Sequence, residues 1–137
     1  MDDNAISYLA LLTSLVSLVV SFLTLYRDRH EVAARAVPIE QSDGTFSLYV
    51  TVANHGRRLI SIAHVVLERS GSPALFLNFG RNGQAKIEGG DSQTCAIAPN
   101  GLPLNWSNAE ELRGIEVSVQ DALGKKHRAK WEHTLTR

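Results

Sequence analysis

The sequence has almost no cysteine. Cys95 is the only one among 137 residues, so an internal disulfide is excluded and the composition suits a reducing compartment. An excess of one charge is also missing, because 14 Lys and Arg residues balance 14 Asp and Glu residues. Domains that bind the phosphates of nucleic acids usually carry a strong positive charge. The composition therefore argues against nucleic acid as the main partner.

Groupings of catalytic or metal-binding residues are missing as well. His127 and His133 would share a strand face about 20 Å apart, which is too far for one ion. His64 has no companion ligand in its apolar segment, and Cys95 has no basic neighbour in sequence to activate its thiol. The glycine-rich stretch 80–83 lies between predicted strands rather than before a helix, which indicates a turn and not a phosphate loop. We therefore expect a protein that is not an enzyme and that holds no cofactor or metal.

A charge-free apolar run is the most prominent feature that the sequence does contain. Residues 5–26 include no Asp, Glu, Lys or Arg. As a helix they would be roughly 33 Å long, against a hydrocarbon core of about 30 Å. Tyr8 and Tyr26 fall near the two ends, where aromatic rings favour the headgroup layer. We predict a single membrane-spanning helix, because a cleaved signal peptide would need a basic start and a shorter apolar run.

Basic residues follow the predicted span, and none precedes it. This juxtamembrane basic group consists of Arg27, Arg29 and Arg35. Positive residues close to a span tend to remain on the cytoplasmic side of the membrane. We therefore predict a single-pass protein of the inner (cytoplasmic) membrane, with its N-terminus outside and its C-terminal domain in the cytoplasm.

Small residues recur inside the apolar run at alternating steps of three and four. They are Ser7, Ala10, Ser14, Ser17, Ser21 and Thr24. This is the spacing of the a and d positions of a heptad. In lipid, helices associate by close packing over small residues and by hydrogen bonds between helices. These six residues, the seam, predict an association face for another copy of the chain or for a different membrane protein. The alternative is that the hydroxyls bond only to their own helix backbone.

The chain divides into four predicted segments. They are an N-terminal tail at 1–4, the transmembrane helix at 5–26, a juxtamembrane linker at 27–36 and a β-domain at 37–135. The start of the linker could continue the helix for a turn or two before Pro38 stops it.

Alternation and turn signals define the β-domain. Apolar and polar residues alternate over 45–53 and again over 115–120, and turn residues recur at short intervals. This pattern predicts about seven short strands. A capping sequence at 107–110 predicts one helical turn before the last hairpin.

One segment of the β-domain carries a resemblance. Residues 50–62, V-T-V-A-N-H-G-R-R-L-I-S-I, combine a strand, an Asn-x-Gly turn and a second strand. They resemble bacterial immunoglobulin-like domains, and the resemblance covers most of residues 37–135. It implies an all-β, Ig-like β-sandwich, with a small β-barrel as the alternative. The cysteine pair of antibody domains is absent, and Trp106 and Trp131 do not occupy its pattern, so the resemblance implies a fold and not an activity.

The last predicted hairpin is rich in basic residues, which are Lys125, Lys126, Arg128 and Lys130. Anionic lipid attracts such residues by about 1 kcal/mol each, so the run is a candidate contact for lipid or for a small-molecule ligand. Lysines on a hairpin also keep an edge strand from pairing, and this is the simpler explanation.

Three functions fit these features. The first is a non-enzymatic, membrane-anchored interaction or signalling module that associates through its helix. The second is a ligand-triggered, membrane-disrupting (pore-forming) effector of a bacterial defence system. It resembles effectors whose cytosolic β-rich domain senses a small ligand, although those proteins often have two spans and this chain has one. The third is an accessory subunit of a larger membrane complex.

Overall fold

The computed structural model describes residues 3–27, 31–80, 82–133 and 135–136. The first element is an α-helix, α1, at Asp3–Arg27. Its segment Asn4–Tyr26 is long and apolar enough to cross a membrane, and none of it is buried. A signal sequence meets the same criteria of length and composition, whereas the core helix of a soluble protein would be covered by other elements.

The described residues beyond α1 form strands and one short helix. The strands are β1 (Val32–Glu40), β2 (Phe46–Asn54), β3 (Ile60–Glu68), β4 (Leu75–Asn78), β5 (Ala85–Ile87), β6 (Ser92–Ile97), β7 (Glu116–Asp121), β8 (Lys126–Trp131) and β9 (Leu135–Thr136). The short helix, α2 (Ala109–Arg113), lies between β6 and β7. This confirms the predicted order of an apolar N-terminal helix followed by an all-β domain.

The strands build one curled sheet in the order β4-β3-β7-β8-β1-β2-β6, with β5 beside β3 and β9 beside β1. The curl arises at β8, which changes its partner along its length. Residues 126–128 pair with β7 in the antiparallel sense, and residues 129–131 pair with β1 in the parallel sense. The sheet therefore folds into two facing halves. This arrangement agrees with the predicted sandwich and also with its barrel alternative.

The two halves enclose one hydrophobic core. In β2, Leu48, Val50 and Val52 are fully buried while the residues between them are half-buried, which confirms the predicted alternation. They join a cluster that includes Val65 of β3 and Val117 of β7 from the opposite half. Burying a side chain of this size stabilises a fold by about 1.5–3 kcal/mol. The alternation of apolar and polar residues thus supplies the apolar face with which β2 packs against the opposite half of the sheet.

A continuation of the helix into the linker by two turns is wrong, because β1 begins at Val32. A continuation by one turn stays a prediction, since residues 28–30 lie outside the described residues. β1 pairs with β2 over its whole length, from Val32 opposite Asn54 to Glu40 opposite Phe46. Pro38 lies inside this strand. On one side, β1 pairs in the parallel sense through residues 34–36 with β8 and through residues 39–40 with β9. Pro38 falls between these two pairings, so its missing N–H removes no hydrogen bond to β8 or β9.

The predicted helical turn is present, with its cap one residue later than the sequence suggested. Asn108 is the N-cap, and its side chain accepts a hydrogen bond from the backbone N–H of Glu111 at 2.8 Å. The carboxylate of Glu111 in turn accepts from the backbone N–H of Ser107 at 2.8 Å. Hydrogen bonds from Ser107 lower the pKa of Glu111. The arrangement is a variant of the capping box, because Glu111 accepts from the residue that precedes the N-cap and not from the N-cap itself.

Candidate functional site

All six residues of the seam lie on α1 and are exposed. At 3.6 residues per turn, their spacing confines them to an arc of about 100° on the helix surface. Most of the remaining helix surface is formed by Leu, Val, Ile and Phe side chains. The helix therefore presents one narrow face of small residues over its full length.

The hydroxyl groups of this face are not equivalent. Ser17 Oγ donates to the carbonyl oxygen of Thr13 at 2.9 Å, and Thr24 Oγ1 donates to that of Val20 at 2.8 Å. These are the bonds to the helix backbone that the alternative interpretation expects. The hydroxyls of Ser14 and Ser21 make no hydrogen bond to any residue that the structure describes. Ser14 and Ser21 are therefore the seam positions whose hydroxyls have most to gain from a second helix.

The structure describes only part of the juxtamembrane basic group. Arg27 is the last residue of α1, and Arg29 lies outside the described residues. Arg35 lies on β1, where its guanidinium is 3.1 Å from a carboxylate oxygen of Glu132. An exposed pair of this kind contributes about 0–1 kcal/mol to stability. Arg35 is thus part of the sheet surface and not of a linker.

The basic residues of the last hairpin do not form one compact cluster. Lys125 lies in the turn that precedes β8. Lys126 Nζ is 2.6 Å from Glu68 Oε1, and Arg128 Nε is 3.4 Å from Glu116 Oε1. Lys130 is exposed further along the strand. The run therefore extends along β8, and two of its charges already have acidic partners.

Three loops meet at the end of the domain where β1 begins. Because Val32 pairs with Asn54 and Ala34 pairs with Ala129, β2 ends and β8 begins at this level. The loops are 55–59, 88–91 and 121–125. Together with residues 31–32 they form what we call the helix-proximal end.

Asn54 joins two of these loops from inside. Its side chain is fully buried, and its Nδ2 donates to the carbonyl oxygens of Arg58 at 2.7 Å and Ile87 at 3.0 Å. Its Oδ1 accepts from the backbone N–H of Gly56 at 3.0 Å. The loops approach so closely that a Cβ added at Gly89 would lie 2.6 Å from the carbonyl oxygen of Gly56. The conformation of the Asn-x-Gly turn is therefore fixed by the hydrogen bonds of Asn54 and by its contact with loop 88–91.

Asp121 fixes the third loop. Its Oδ1 accepts from the backbone N–H groups of Leu123 at 3.0 Å and Lys125 at 2.9 Å, and its Oδ2 lies 3.1 Å from His127 Nε2. Burial raises the pKa of this carboxyl group, but the hydrogen bonds from His127 and from the two backbone N–H groups outweigh it, so the pKa lies below its ordinary value. The turn holds Leu123 at its tip in a defined position.

An apolar groove with a volume of about 590 Å³ lies between loops 55–59 and 121–125. Its apolar lining includes Val32, Leu59, Ile60 and Leu123. Leu59 is 51% exposed and Leu123 is 91% exposed. Among the described residues outside α1, only these two and Phe76 are exposed large hydrophobic side chains. Sequence reasoning missed the groove, although a leucine at the tip of the turn D-A-L-G was a signal.

Cys95 and His64 are the remaining candidates from the sequence. Cys95 is half-buried on β6, and burial raises the pKa of its thiol. His64 meets Phe76 edge-on, with 6.2 Å between ring centroids, and its Nδ1 is buried without a partner among the described residues. Within the described part of the chain, no group of three His, Cys, Asp or Glu residues is placed to hold a metal ion.

No protein-family model matches the chain, and no curated protein matches its sequence.

Proposed function

We propose that this chain is a non-enzymatic, membrane-anchored interaction module that associates with itself through α1. The observation that carries the proposal is the surface of α1, which is apolar over Asn4–Tyr26 and not covered by any described part of the chain. Exposing this much apolar surface to water is unfavourable at about 25 cal/mol per Å². A bilayer removes that cost, and the helix length matches its hydrocarbon core.

Association follows from the polar groups on this apolar helix. A hydroxyl group in hydrocarbon is unfavourable unless it has a hydrogen-bond partner. Ser17 and Thr24 find theirs on their own backbone, whereas Ser14 and Ser21 gain one from a helix packed against the seam. The repeat of 3.5 residues favours left-handed packing with a crossing angle of about +20°.

Our proposal includes a cytoplasmic β-domain. Positive residues follow α1 in the sequence, and such residues favour a cytoplasmic C-terminal side. A lone cysteine with a raised pKa is compatible with a reducing compartment.

The mass of the full-length protein in nanodiscs tests the proposal. We expect a defined oligomer for the wild type and a shift toward monomer for Ser21→Leu, because leucine separates the two helix backbones at the seam. Leu15→Ala, away from the seam, is the matched control and should retain the oligomer. A monomeric wild type would overturn self-association and point to an accessory subunit of a larger complex. Equal loss in both variants would overturn the seam.

A second candidate function uses the same hydroxyls. Ser14 and Ser21 could line a narrow wet path between clustered helices, as in a membrane-disrupting effector. Such a protein would depolarise cells when it is overproduced, and the Ser21→Leu variant would not. An anchored interaction module would leave the membrane potential unchanged.

A further inference from the structure

We propose that the helix-proximal end of the β-domain docks on the bilayer, with Leu59 and Leu123 inserted at the boundary between headgroups and acyl chains. This inference rests on the proposed function, since it takes α1 to span the membrane. It adds a second membrane contact that the sequence analysis did not assign to these residues.

The first argument is the short connection between α1 and this end. The carbonyl oxygen of Glu31 accepts a hydrogen bond from the backbone N–H of His55 at 2.8 Å, so loop 55–59 is fixed to the chain that follows α1. Four residue steps separate Arg27 at the end of the helix from Glu31, and four steps span at most about 14 Å. The opposite end is separated from it by the nine residues of β1, or roughly 30 Å. The helix-proximal end is therefore the end of the domain that lies closer to the membrane surface when α1 spans the bilayer.

The second argument is the chemistry of that end. Two of the three exposed large hydrophobic residues outside α1 in the described chain are Leu59 and Leu123, and both line the same groove. Apart from Phe76, most of the large apolar side chains described elsewhere in the domain lie in a common core or pack against it. Exposed apolar patches rimmed by polar residues mark sites of protein or membrane interaction, and long basic side chains beside them can keep their charge in water while their stems cover apolar surface. The exposed Arg57 and Lys125 occupy such flanking positions.

Leucines and not net charge carry the contact. The exposed acidic residues at this end are Glu31, Glu88 and Asp91. They balance the three exposed basic residues Arg57, Arg58 and Lys125. Burial of Leu59 and Leu123 does not depend on this balance. Docking is therefore expected on a largely neutral bilayer as well as on an anionic one, and high salt should weaken it little.

The loops are also arranged in advance for this contact. Asn54 fixes the path of loop 55–59, and Asp121 fixes the turn that carries Leu123. Groups held in their bound positions lose little conformational freedom on binding. Leu59 and Leu123 lie largely outside the domain's core. Their loops are thus already in the conformation that burial in an apolar environment requires.

Site-specific fluorescence on the full chain tests the inference. On a Cys95→Ala background, an environment-sensitive label is attached in turn at Leu123→Cys, Ser70→Cys and Leu15→Cys. Ser70 is exposed in the loop after β3, at the opposite end of the domain, and Leu15 lies in the middle of α1. Each protein is reconstituted in phosphatidylcholine nanodiscs containing a minority of phosphatidylserine, with and without lipids that carry a quencher at the headgroup–acyl boundary or within the acyl chain.

We expect the boundary quencher to reduce the emission of the Leu123 label at least about twofold more than that of the Ser70 label, as for a loop inserted at the interface. Adding Leu59→Ser should lower this difference. Equal quenching at Leu123 and Ser70, with the Leu15 label quenched by the acyl-chain lipid, would overturn docking while the anchored helix stands. A Leu15 label that no lipid quencher reaches would overturn both the anchor and the docking. A blue-shifted Leu123 label that lipid quenchers do not reach would mean that protein covers the leucines, and would also overturn the proposal.

Discussion

The side-chain amide of Asn54 donates a hydrogen bond to the carbonyl oxygen of Ile87 at 3.0 Å. The two residues belong to strands in opposite halves of the curled sheet, because β2 pairs with β1 and β6 while β5 pairs with β3. Asn54 also bonds to Arg58 and Gly56 within the following loop. One buried amide therefore sets both the loop conformation and the distance between the sheet halves at the helix-proximal end.

Replacing Asn54 by alanine should destabilise the β-domain strongly. The substitution leaves the carbonyl oxygens of Arg58 and Ile87 and the N–H of Gly56 without their partners, and each unsatisfied buried group costs about 1–3 kcal/mol. We expect Asn54→Ala to lower the free energy of unfolding by about 3 kcal/mol or more. Urea unfolding of the full chain in detergent, followed by tryptophan fluorescence, measures this, because both tryptophans lie in the β-domain.

Asn78→Ala is the matched control for this experiment. Asn78 is exposed at the end of β4, where substitutions usually change stability by no more than about 0.5 kcal/mol. If the two alanine variants were equally stable, the buried amide would not be the organising contact of this end.

Replacing Trp106 by phenylalanine should also destabilise the domain, by about 2 kcal/mol. Trp106 is 4% exposed, and its Nε1–H donates to the carbonyl oxygen of Phe46 at 2.7 Å. Phenylalanine keeps most of the apolar contact but leaves that carbonyl without its partner. Trp131 packs against the core and is only partly buried, so Trp131→Phe should cost less. Thermal unfolding monitored by circular dichroism compares the two variants, and a larger loss for Trp131→Phe would contradict this ranking.

The sequence was sufficient for elements whose pattern is local. The alternation of β2 and the hairpin of β7 and β8 each bury one apolar face, and period two alone predicts such strands. The start of β1 could not be found in this way, because the alanines at 33, 34 and 36 give almost no periodic signal. Its conformation is decided by pairing with β2 and β8, which is tertiary context.

The groove could not be predicted from the sequence for a related reason. Leu59 and Leu123 are far apart in the sequence and come together because β3 pairs with β7, with Ile62 opposite Asp121. That register includes an irregularity between Ile62 and His64, and no local pattern encodes it. By contrast, the seam depends only on spacing along one helix, so the sequence could place its residues on one face.

Asp121→Asn should reduce the loss of unfolding free energy that occurs at acidic pH. Burial raises the pKa of Asp121, but hydrogen bonds from His127, Lys125 and Leu123 lower it below its ordinary value of about 3.9. A carboxyl group with a depressed folded-state pKa stabilises the fold above its unfolded pKa. This contribution is lost as the pH falls through the folded-state pKa. We therefore expect the free energy of unfolding of the wild type to fall below about pH 4.

The asparagine variant should show a shallower fall, because its side chain does not titrate while its oxygen still accepts hydrogen bonds. Part of the slope should remain, since the pKa values of Asp43 and Glu111 are also lowered, by hydrogen bonds from Thr45 and Ser107 respectively. Urea unfolding at a series of pH values gives the two profiles. Parallel profiles would mean that Asp121 contributes no pH dependence.

Removing single hydroxyls from α1 should separate hydrogen bonding from packing at the seam. Alanine keeps the seam small, so Ser21→Ala and Ser17→Ala leave the helix backbones free to approach each other. Ser17 already bonds to the carbonyl oxygen of Thr13, and its loss should change association little. Ser21 has no partner among the described residues, so its loss should weaken association by about 0.6–1.7 kcal/mol if it bonds across helices. Energy transfer between labelled copies during detergent dilution measures both variants, and equal affinities would show that packing alone holds the helices together.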